Sequence, residues 1–223
     1  MPEMDTPEQP SVLDLAFTIP RKSGTLKEVP APSPALEAPI ADTHCHLVLL
    51  EDCVKALARA AAYNIDFICS ISDILEKAET AFGKDAEWRA AAAELLERSG
   101  YTDVSVPHVR MTVGCHPHNA SKYDDAVERR LLEKLRDPRT SCLGEIGLDY
   151  HYDLSPREAQ REIFARQARL VHDTGLPLAL HVREANEDAL AIMDEVGFPE
   201  ACTILHCCTM GPEDVKPWIE RGC

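Results

Sequence analysis

Residues 144–149 read GEIGLD and place one acidic side chain, Glu145, inside a run of glycine and apolar residues. A carboxylate in such a run is costly to bury unless a cation or several hydrogen-bond donors face it. Three other apolar runs also end in residue types that bind metals. These are His44 and His46 in ADTHCHL, His181 in LPLALHV and His206 in TILHC. Side chains so far apart in the chain meet only if their strands line one barrel, so the pattern predicts a divalent-metal pocket.

Each of these residues also has a structural explanation when it is taken alone. His44 and His46 are two residues apart, so on an extended segment they project to the same side and could bind one ion or simply end a strand. Glu145 could form a structural ion pair, and His181 or His206 could be a hydrogen-bonded histidine of the core. The occurrence of all five in one chain favours a metal site over these separate explanations.

The charge of the chain limits the ways in which it can bind nucleic acid. It has 23 Lys and Arg against 38 Asp and Glu, which is a formal net charge of −15. A protein that binds nucleic acid through a broad basic surface carries the opposite charge. Any phosphate that this protein handles must therefore be held by metal ions and a few local cations.

Most of the nine cysteines lie inside predicted strands or helices or beside the candidate site residues, and they do not form a regular framework. With no secretory signal at the N-terminus, this scatter predicts reduced thiols and a cytoplasmic location. No stretch approaches the roughly 20 apolar residues that a membrane span requires, so we expect no membrane partner.

Composition divides the chain into two parts. Residues 1–39 hold eight of the sixteen prolines and show little apolar periodicity. A segment such as PAPSP at 30–34 favours extended polyproline geometry and cannot pack a core, so we predict a Pro-rich disordered tail over residues 1–39. Residues 40–223 are expected to form one metallohydrolase domain.

From residue 40 onward, β-rich apolar runs alternate with amphipathic helical runs, which predicts βα units and a parallel sheet. The candidate ligands fall at the carboxyl ends of strands, where TIM barrels place their chemistry. Ser155 is expected to cap one helix. The predicted strands are 40–43, 66–71, 109–114, 141–147, 176–181 and 202–206, and the predicted helices lie near 51–63, 74–99, 120–136, 155–172, 184–196 and 212–221.

The predicted fold class is therefore α/β, a TIM (β/α)8-type barrel. A complete barrel needs about 250 residues, so residues 40–223 provide only about six of its eight βα units. A doubly wound open sheet is the competing architecture, and it also gathers functional residues at strand ends. Such a sheet usually carries a glycine-rich phosphate turn after its first strand, and this sequence has none there.

Five motifs resemble those of the TatD family of metal-dependent hydrolases, in the family's order and spacing. They are DTHCHL at 42–47, GCHPH at 114–118, GEIGLDYH at 144–151, LPLALHVREA at 176–185 and ILHCCTMG at 204–211. The resemblance covers residues 40 to about 211. It implies a TIM barrel of the metal-dependent hydrolase superfamily that hydrolyses the phosphodiester bonds of DNA, as a deoxyribonuclease.

The resemblance also implies how metal would be bound. His44 and His46 would hold one divalent ion, and His181 and His206 would hold a second. Glu145 would bridge the two ions, which together would activate a water for attack on the phosphate. Zinc, manganese and magnesium all remain open as the metal.

His116 and Arg183 are candidates for contacting the scissile phosphate, Arg183 because its planar fork matches two phosphate oxygens. His116 could instead support a metal ligand, and Arg183 could pair with Glu184 or another carboxylate of the barrel. The remaining histidines are expected to be surface or structural residues: His108, His118, His151 and His172.

The chain departs from the family pattern near its C-terminus. The resemblance places one more ligand, an aspartate, well beyond His206, but only 17 residues follow that histidine. We therefore expect a C-terminally truncated barrel with poor solubility or activity. Two other functions remain open. One is an amidohydrolase-type C–N hydrolase, although such enzymes commonly bridge their metals with a modified lysine where Glu145 stands, and the other is an inactive truncated remnant.

Overall fold

A β-hairpin is the first element of this computed structural model, which describes residues 17–29 and 38–223. Its strands β1 (Phe17–Pro20) and β2 (Leu26–Val29) pair antiparallel. The sequence predicted disorder here and not a hairpin. That prediction rested on the proline content of residues 1–39 and not on the short turn that joins the strands. Residues 1–16 and 30–37 lie outside the described residues, and for them disorder stays a prediction.

Strands and helices alternate from Ile40 to the end of the chain. Each predicted element is present within a few residues of its predicted bounds, so the alternation inferred from apolar periodicity is confirmed. None of the helices in the described residues is long and apolar enough to span a membrane. The elements are β3 (Ile40–Cys45), α1 (Cys53–Ala62), β4 (Ile65–Asp73), α2 (Ala78–Arg98), β5 (His108–Gly114), α3 (Asp125–Leu135), β6 (Thr140–Asp149), α4 (Arg157–Thr174), β7 (Leu178–Arg183), α5 (Asn186–Val196), β8 (Thr203–His206) and α6 (Pro212–Ile219).

The order of strands β3 to β8 in their sheet is the order in which they occur in the chain. The pairs β5–β6, β6–β7 and β7–β8 are all parallel. A doubly wound sheet reverses its strand order at a switch point, whereas a TIM barrel adds each strand beside the previous one. The sequential order therefore excludes the doubly wound alternative and supports a barrel-type α/β fold.

The described residues group into two compact units. The first contains the residues up to 43 together with 50–68 and 84–108. Its core includes the buried side chains of Leu57 and Leu96. The side chain of Asp52 caps α1 by accepting a hydrogen bond from Lys55 N at 2.9 Å.

The second unit contains residues 44–49, 69–83 and 109–223, and all of the candidate metal ligands belong to it. Apolar residues of neighbouring strands form its core, as expected for parallel strands that are covered on both faces. The strand residues that are completely buried include Leu143, Ile146, Leu148, Leu178 and Leu180.

Helix α4 begins differently from the prediction. Pro156 occupies its N-cap position, and no side chain caps the helix there. Ser155, the predicted cap, instead donates its hydroxyl to the carbonyl of His118 at 2.8 Å. Ser155 therefore anchors the 3-10 turn at Pro117–Lys122, which follows β5 and carries His118 into the candidate site.

Candidate metal centre

Glu145 lies at a β-bulge in β6. The pairing register with β7 shifts between Gly144 and Ile146, so Glu145 has no paired residue on the neighbouring strand. A bulge re-aims the side chain of its extra residue. Glu145 is only 8% exposed, yet it lines a cavity of about 390 Å³. Its carboxylate is thus buried in protein but open to the cavity.

Gly147 allows β6 and β7 to approach closely beside the centre. Its φ is 142°, and a Cβ at this position would lie 2.0 Å from the carbonyl oxygen of His181. This backbone conformation is essentially confined to glycine. The register pairs Gly147 with His181 and His181 with His206. Gly147 therefore helps to fix the positions of His181 and His206 relative to Glu145.

Four imidazole rings face the two carboxylate oxygens of Glu145. His44 Nε2 and His46 Nε2 each lie 3.6 Å from Oε2. His206 Nε2 lies 3.6 Å from Oε1, and His181 Nδ1 lies 3.8 Å from the same oxygen. The structure thus brings all five predicted ligands together, with one pair of imidazoles beside each oxygen.

These distances suit ligands that share a metal ion. A separation of 3.6 Å is too long for a hydrogen bond. Two ligand atoms bound to one tetrahedral ion at about 2.1 Å would lie about 3.4 Å apart. The ligand atoms of His44, His46 and Glu145 all lie within 4.8 Å of one another, and so do those of His116, Glu145 and His181. Imidazole nitrogens with one carboxylate are a donor set that zinc and manganese accept.

The pKa of Glu145 reflects two opposing effects. Burial by itself raises the pKa of this carboxyl, but the facing imidazoles of His181 and His44 outweigh burial and lower the pKa well below its usual range. Glu145 is therefore charged at neutral pH. A charged carboxylate is the form that binds a metal ion.

His206 has a second contact that the sequence did not indicate. Its ring stacks on that of His44, with the ring centroids 3.3 Å apart and the planes 5° from parallel. Burial lowers the pKa of His206, and the neighbouring His44 adds to this effect. The neutral imidazole that results is the form that binds metal. The mutually close ligand atoms beside His181 and Glu145 are those of His116 and not those of His206. The assignment of His181 and His206 to one ion therefore stays a prediction.

Asp149 was not predicted as a site residue, but it is completely buried behind the centre. Its Oδ2 accepts hydrogen bonds from His181 Nε2 at 3.0 Å and from His118 Nε2 at 2.9 Å. Burial raises the pKa of Asp149, but hydrogen bonds from the backbone of Tyr152 and from the two imidazoles lower it to about 2.

The charge of Asp149 decides which nitrogen of the neutral His181 ring carries the proton. Burial lowers the pKa of His181, but the facing carboxylates of Glu145 and Asp149 outweigh burial and raise it. A charged carboxylate only accepts hydrogen bonds, so the Nε2 of His181 must carry a proton. Nδ1, the atom that faces Glu145, is then the nitrogen that can offer a lone pair to an ion. A carboxylate that orients a histidine from behind is typical of metal sites.

His116 lines the same cavity with a different hydrogen-bonding pattern. Its Nδ1 accepts from the backbone N–H of His118 at 3.3 Å. Burial, followed by the charges of His181 and His118, lowers the pKa of His116 to about 3. The ring is therefore neutral and carries its proton at Nε2. This N–H can donate to a phosphate oxygen, which is the contact predicted for His116.

Asp73, at the end of β4, holds the segment that carries His116. Its Oδ2 accepts from the backbone N–H of His116 at 2.8 Å and from Asn119 Nδ2 at 3.3 Å, while Oδ1 accepts from Leu75 N at 2.6 Å. Burial raises the pKa of Asp73. Asp73 and Asn119 therefore position His116 through its backbone, and neither was predicted from the sequence.

Arg183 is not one of the described residues that line the cavity. Its guanidinium lies over the ring of Tyr152, 4.7 Å from the ring centroid. Glu184, the alternative partner considered from the sequence, lies instead 2.7 Å from His151 Nδ1. Among the described residues Arg183 forms no ion pair, so the alternative of a pair with Glu184 or another carboxylate is not observed, and the contact with phosphate stays a prediction.

His118 was expected to be a surface or structural residue, and its hydrogen bond to Asp149 is compatible with a structural role. It lines the cavity and shares Asp149 with His181. Both His118 and Asp149 stand inside quoted motifs, GCHPH and GEIGLDYH, so the motifs contained the signal. Asp149 was missed because β6 was expected to end at Gly147, whereas it continues to Asp149.

Comparison with known proteins finds relatives for most of the chain. A family model described as "TatD related DNase" matches residues 41–223. Over 196 residues the chain is 31% identical to the 3'-5' RNA nuclease TATDN2 of Homo sapiens, which covers 84% of this chain and 24% of the relative. Over 116 residues it is 30% identical to the 3'-5' ssDNA/RNA exonuclease TatD of Escherichia fergusonii, which covers 52% of this chain and 45% of the relative.

A crystal structure with a similar fold is that of YJJV, a TatD homolog from Escherichia coli K12. It has a TM-score of 0.65 and 19% sequence identity, and the match covers 81% of this chain and 64% of that chain. The predicted fold class, an α/β barrel of the TIM type, is thereby confirmed. The chain spans less than two thirds of the length of each of these three proteins.

Proposed function

This chain belongs to the TatD-related DNase family, and we propose that it hydrolyses phosphodiester bonds of DNA with two divalent ions bound at the Glu145 centre. The description of the family and the names of the relatives support a nuclease. One relative is named for RNA and another for both single-stranded DNA and RNA. RNA is therefore the second substrate class to be tested.

The observation that carries this proposal is the pairing of imidazoles with the oxygens of Glu145. His44 and His46 face one oxygen, and His181 and His206 face the other, all at 3.6 to 3.8 Å. A carboxylate that bridges two ions needs one group of ligands for each of its oxygens. A structural ion pair would not need four imidazoles around one carboxylate.

The residues of the chain would hold and orient the reacting groups. Bound divalent ions would supply Lewis acidity toward a phosphate oxygen and a water of lowered pKa. Asp149 would keep the Nδ1 lone pair of His181 directed at the centre, because it accepts a hydrogen bond from the Nε2–H of His181. His116 would donate its Nε2–H to a phosphate oxygen, and Arg183 would offer its planar fork to phosphate.

The acidity of the chain is compatible with a nucleic-acid substrate on this proposal. A formal net charge of −15 opposes the approach of a polyanion over most of the surface. Two divalent ions and Arg183 would provide the positive charge where the phosphate binds. The presence of Glu145 at the centre, where amidohydrolase-type enzymes commonly have a modified lysine, favours phosphodiester over C–N hydrolysis.

We also propose a cytoplasmic location. The structure describes all nine cysteines of the chain, and every one is a free thiol. Reduced thiols are the expected state in the cytoplasm.

The test is a cleavage assay with substrates of one sequence in three forms: single-stranded DNA, duplex DNA and single-stranded RNA. The purified protein is stripped with a chelator and then supplied with Mn²⁺, Mg²⁺ or Zn²⁺, and the bound metal is counted by mass spectrometry. We expect two ions per chain and cleavage of DNA that needs added metal.

A Glu145→Gln variant purified in the same way serves as the control for contaminating nucleases. Equal cleavage by this variant, or cleavage that persists in the chelator, would contradict the proposal. Cleavage of RNA but not DNA would retain the metal centre and correct the substrate.

A further inference from the structure

On the basis of the nuclease function proposed above, we propose that Tyr152 and Arg183 form a stacking platform beside the metal centre. One unpaired nucleobase of the substrate would lie on the exposed ring of Tyr152. The platform would then act as a specificity-determining element that selects single-stranded or frayed nucleic acid. We call these two residues the platform below.

Tyr152 is exposed, yet it is firmly connected to the metal centre. Tyr152 is 55% exposed. Its backbone N–H donates to Asp149 Oδ1 at 2.8 Å, and Oδ2 of the same carboxylate accepts from His181. The ring of His118, which lines the cavity, lies 5.7 Å from the Tyr152 ring in an edge-to-face arrangement. Tyr152 is therefore held at a defined position next to the proposed reaction site.

Arg183 completes the platform from β7. It follows His181 by two residues on the strand, so both side chains project to the same face. Its guanidinium lies 4.7 Å from the centroid of the Tyr152 ring, over one ring face. No described residue forms an ion pair with this guanidinium. The neighbouring Glu184 is paired instead with His151. The charge of Arg183 can thus serve a phosphate group of the substrate.

The chemistry of these two side chains matches one nucleotide with an unpaired base. Bases stack on exposed aromatic rings without regard to sequence, because each base has a π face. A base inside a duplex is already paired and stacked between its neighbours, so only an unpaired base can occupy the ring. Arg183 adds cation–π attraction on the covered face and a fork that matches the phosphate oxygens.

A purely structural role for Tyr152 makes a different prediction. The hydrogen bond to Asp149 uses the backbone N–H of residue 152, which any residue other than proline retains. A Tyr152→Ala substitution therefore removes the ring but keeps this contact with the centre. If the ring only supported His118, its loss would weaken binding equally with and without a base on the substrate.

The experiment measures binding, so that it does not depend on turnover. Short single-stranded DNA with phosphorothioate linkages, which resist hydrolysis, carries the fluorescent base 2-aminopurine at one position at a time. A matched set carries an abasic site at that position. Binding in Mn²⁺ is titrated with the wild-type protein and with Tyr152→Ala, Tyr152→Phe and Leu154→Ala. Leu154 is a control because it lies two residues further along and is 65% exposed, but has no aromatic ring.

We expect the wild-type protein to quench 2-aminopurine at one position and to lose about 5- to 150-fold in affinity when that position is abasic. Tyr152→Ala should abolish the quenching and reduce the affinity for intact DNA by a similar factor. Its affinity for abasic DNA should be no lower than its affinity for intact DNA. Tyr152→Phe should restore the quenching, and Leu154→Ala should behave as the wild type does.

The outcomes separate the platform from the proposed nuclease function. Quenching that depends on Tyr152 in a protein that cleaves nothing would support the platform and contradict the nuclease. Metal-dependent cleavage with no position sensitive to Tyr152 would overturn the platform and leave the nuclease standing. Equal losses of Tyr152→Ala on intact and abasic DNA, or no binding of DNA by the wild type, would also overturn the platform.

Discussion

The metal centre and the platform differ in how deeply their residues are embedded in protein. In the centre, Glu145 and Asp149 are 8% and 0% exposed, and each is surrounded by imidazoles. On the platform, Tyr152 is more than half exposed and Arg183 forms no ion pair with the described residues. A buried polar group that loses its partner incurs the full desolvation penalty, whereas an exposed group regains water.

This difference indicates a division of roles. The centre holds its groups in one arrangement before any substrate binds, as hydrolysis requires. The platform leaves its donors and its ring face available to whatever substrate arrives. Substitutions in the centre should therefore have large effects on every substrate, whereas substitutions on the platform should have small effects that depend on the substrate.

The largest effect is expected for Glu145→Gln. Glutamine keeps the shape of the side chain but removes the charge that faces four imidazoles and that the proposed metal ions would require. We therefore expect kcat/KM to fall by more than the roughly 10- to 100-fold typical of residues behind the ligands. The measurement is DNA cleavage together with the number of bound metal ions. Glu133→Gln, an exposed carboxylate on α3, is the control and should match the wild type. If Glu145→Gln bound as much metal as the wild type and kept full activity, Glu145 would not be essential to the candidate metal centre.

The next largest effect is expected on stability, from Gly147→Ala. The φ of 142° is unfavourable for alanine, and the added Cβ would lie 2.0 Å from the carbonyl oxygen of His181. We expect the free energy of unfolding to fall by about 3 kcal/mol or more, measured by chemical denaturation.

Gly83→Ala is the matched glycine substitution. Gly83 lies inside α2, and a Cβ there would meet no atom within 4 Å. Alanine should stabilise this helix by about 1 kcal/mol or less. If Gly147→Ala were as stable as Gly83→Ala, β6 and β7 would tolerate a Cβ at residue 147. Their close approach there would then not fix the position of His181 beside Glu145.

A smaller effect is expected for Asp149→Asn. The amide presents N–H groups where His181 and His118 donate, so His181 would no longer be held with its Nδ1 lone pair toward Glu145. We expect metal affinity to decrease by about 10- to 100-fold, measured by competition with a chelating dye. Asp153→Asn serves as the comparison in the adjacent turn. Its side chain pairs with the exposed Arg157 and accepts a hydrogen bond from Gln160 Nε2 at 3.4 Å, and asparagine keeps an oxygen that can accept this bond. This variant should leave metal affinity unchanged.

The smallest effect is expected for Arg183→Lys, which keeps the charge but removes the planar fork. KM for single-stranded DNA should increase by about two- to fivefold, because an ion contact of a partly exposed residue contributes little. Replacement by alanine should in addition reduce the dependence of log KM on log salt concentration by about 0.7, as expected for one phosphate contact on a single strand. If either Arg183 variant lost as much activity as Glu145→Gln, Arg183 would act as part of the metal centre and not as part of the platform.

The strands and helices of this protein could be predicted well because their signals are local. Apolar runs such as Leu178–Leu180 identify buried strands, and Pro212 marks the start of the last helix. The failures also have local causes. The hairpin at 17–29 lies in a proline-rich segment whose composition favoured disorder, and Ser155 uses its hydroxyl for His118 instead of capping α4.

The candidate site could be predicted in part. The residue types of the five candidate ligands and their places in or next to strands were visible, because metal chemistry uses histidine and carboxylate. The supporting residues were not visible. Asp73 and Asp149 are ordinary acidic residues in the sequence, and only their contacts with His116, His118 and His181 distinguish them from the many carboxylates on the surface.

The sequence by itself determined that strands alternate with helices and that four histidines and one glutamate lie in the strands or directly after them, since periodicity and residue type are properties of short segments. Only the tertiary structure decided which pair of imidazoles faces which oxygen of Glu145, and that Asp149 stands behind His181. Those relations depend on the β-bulge at Glu145 and on the register of β6, β7 and β8. Register is set by contacts between residues that are distant in the chain, and no short segment contains that information.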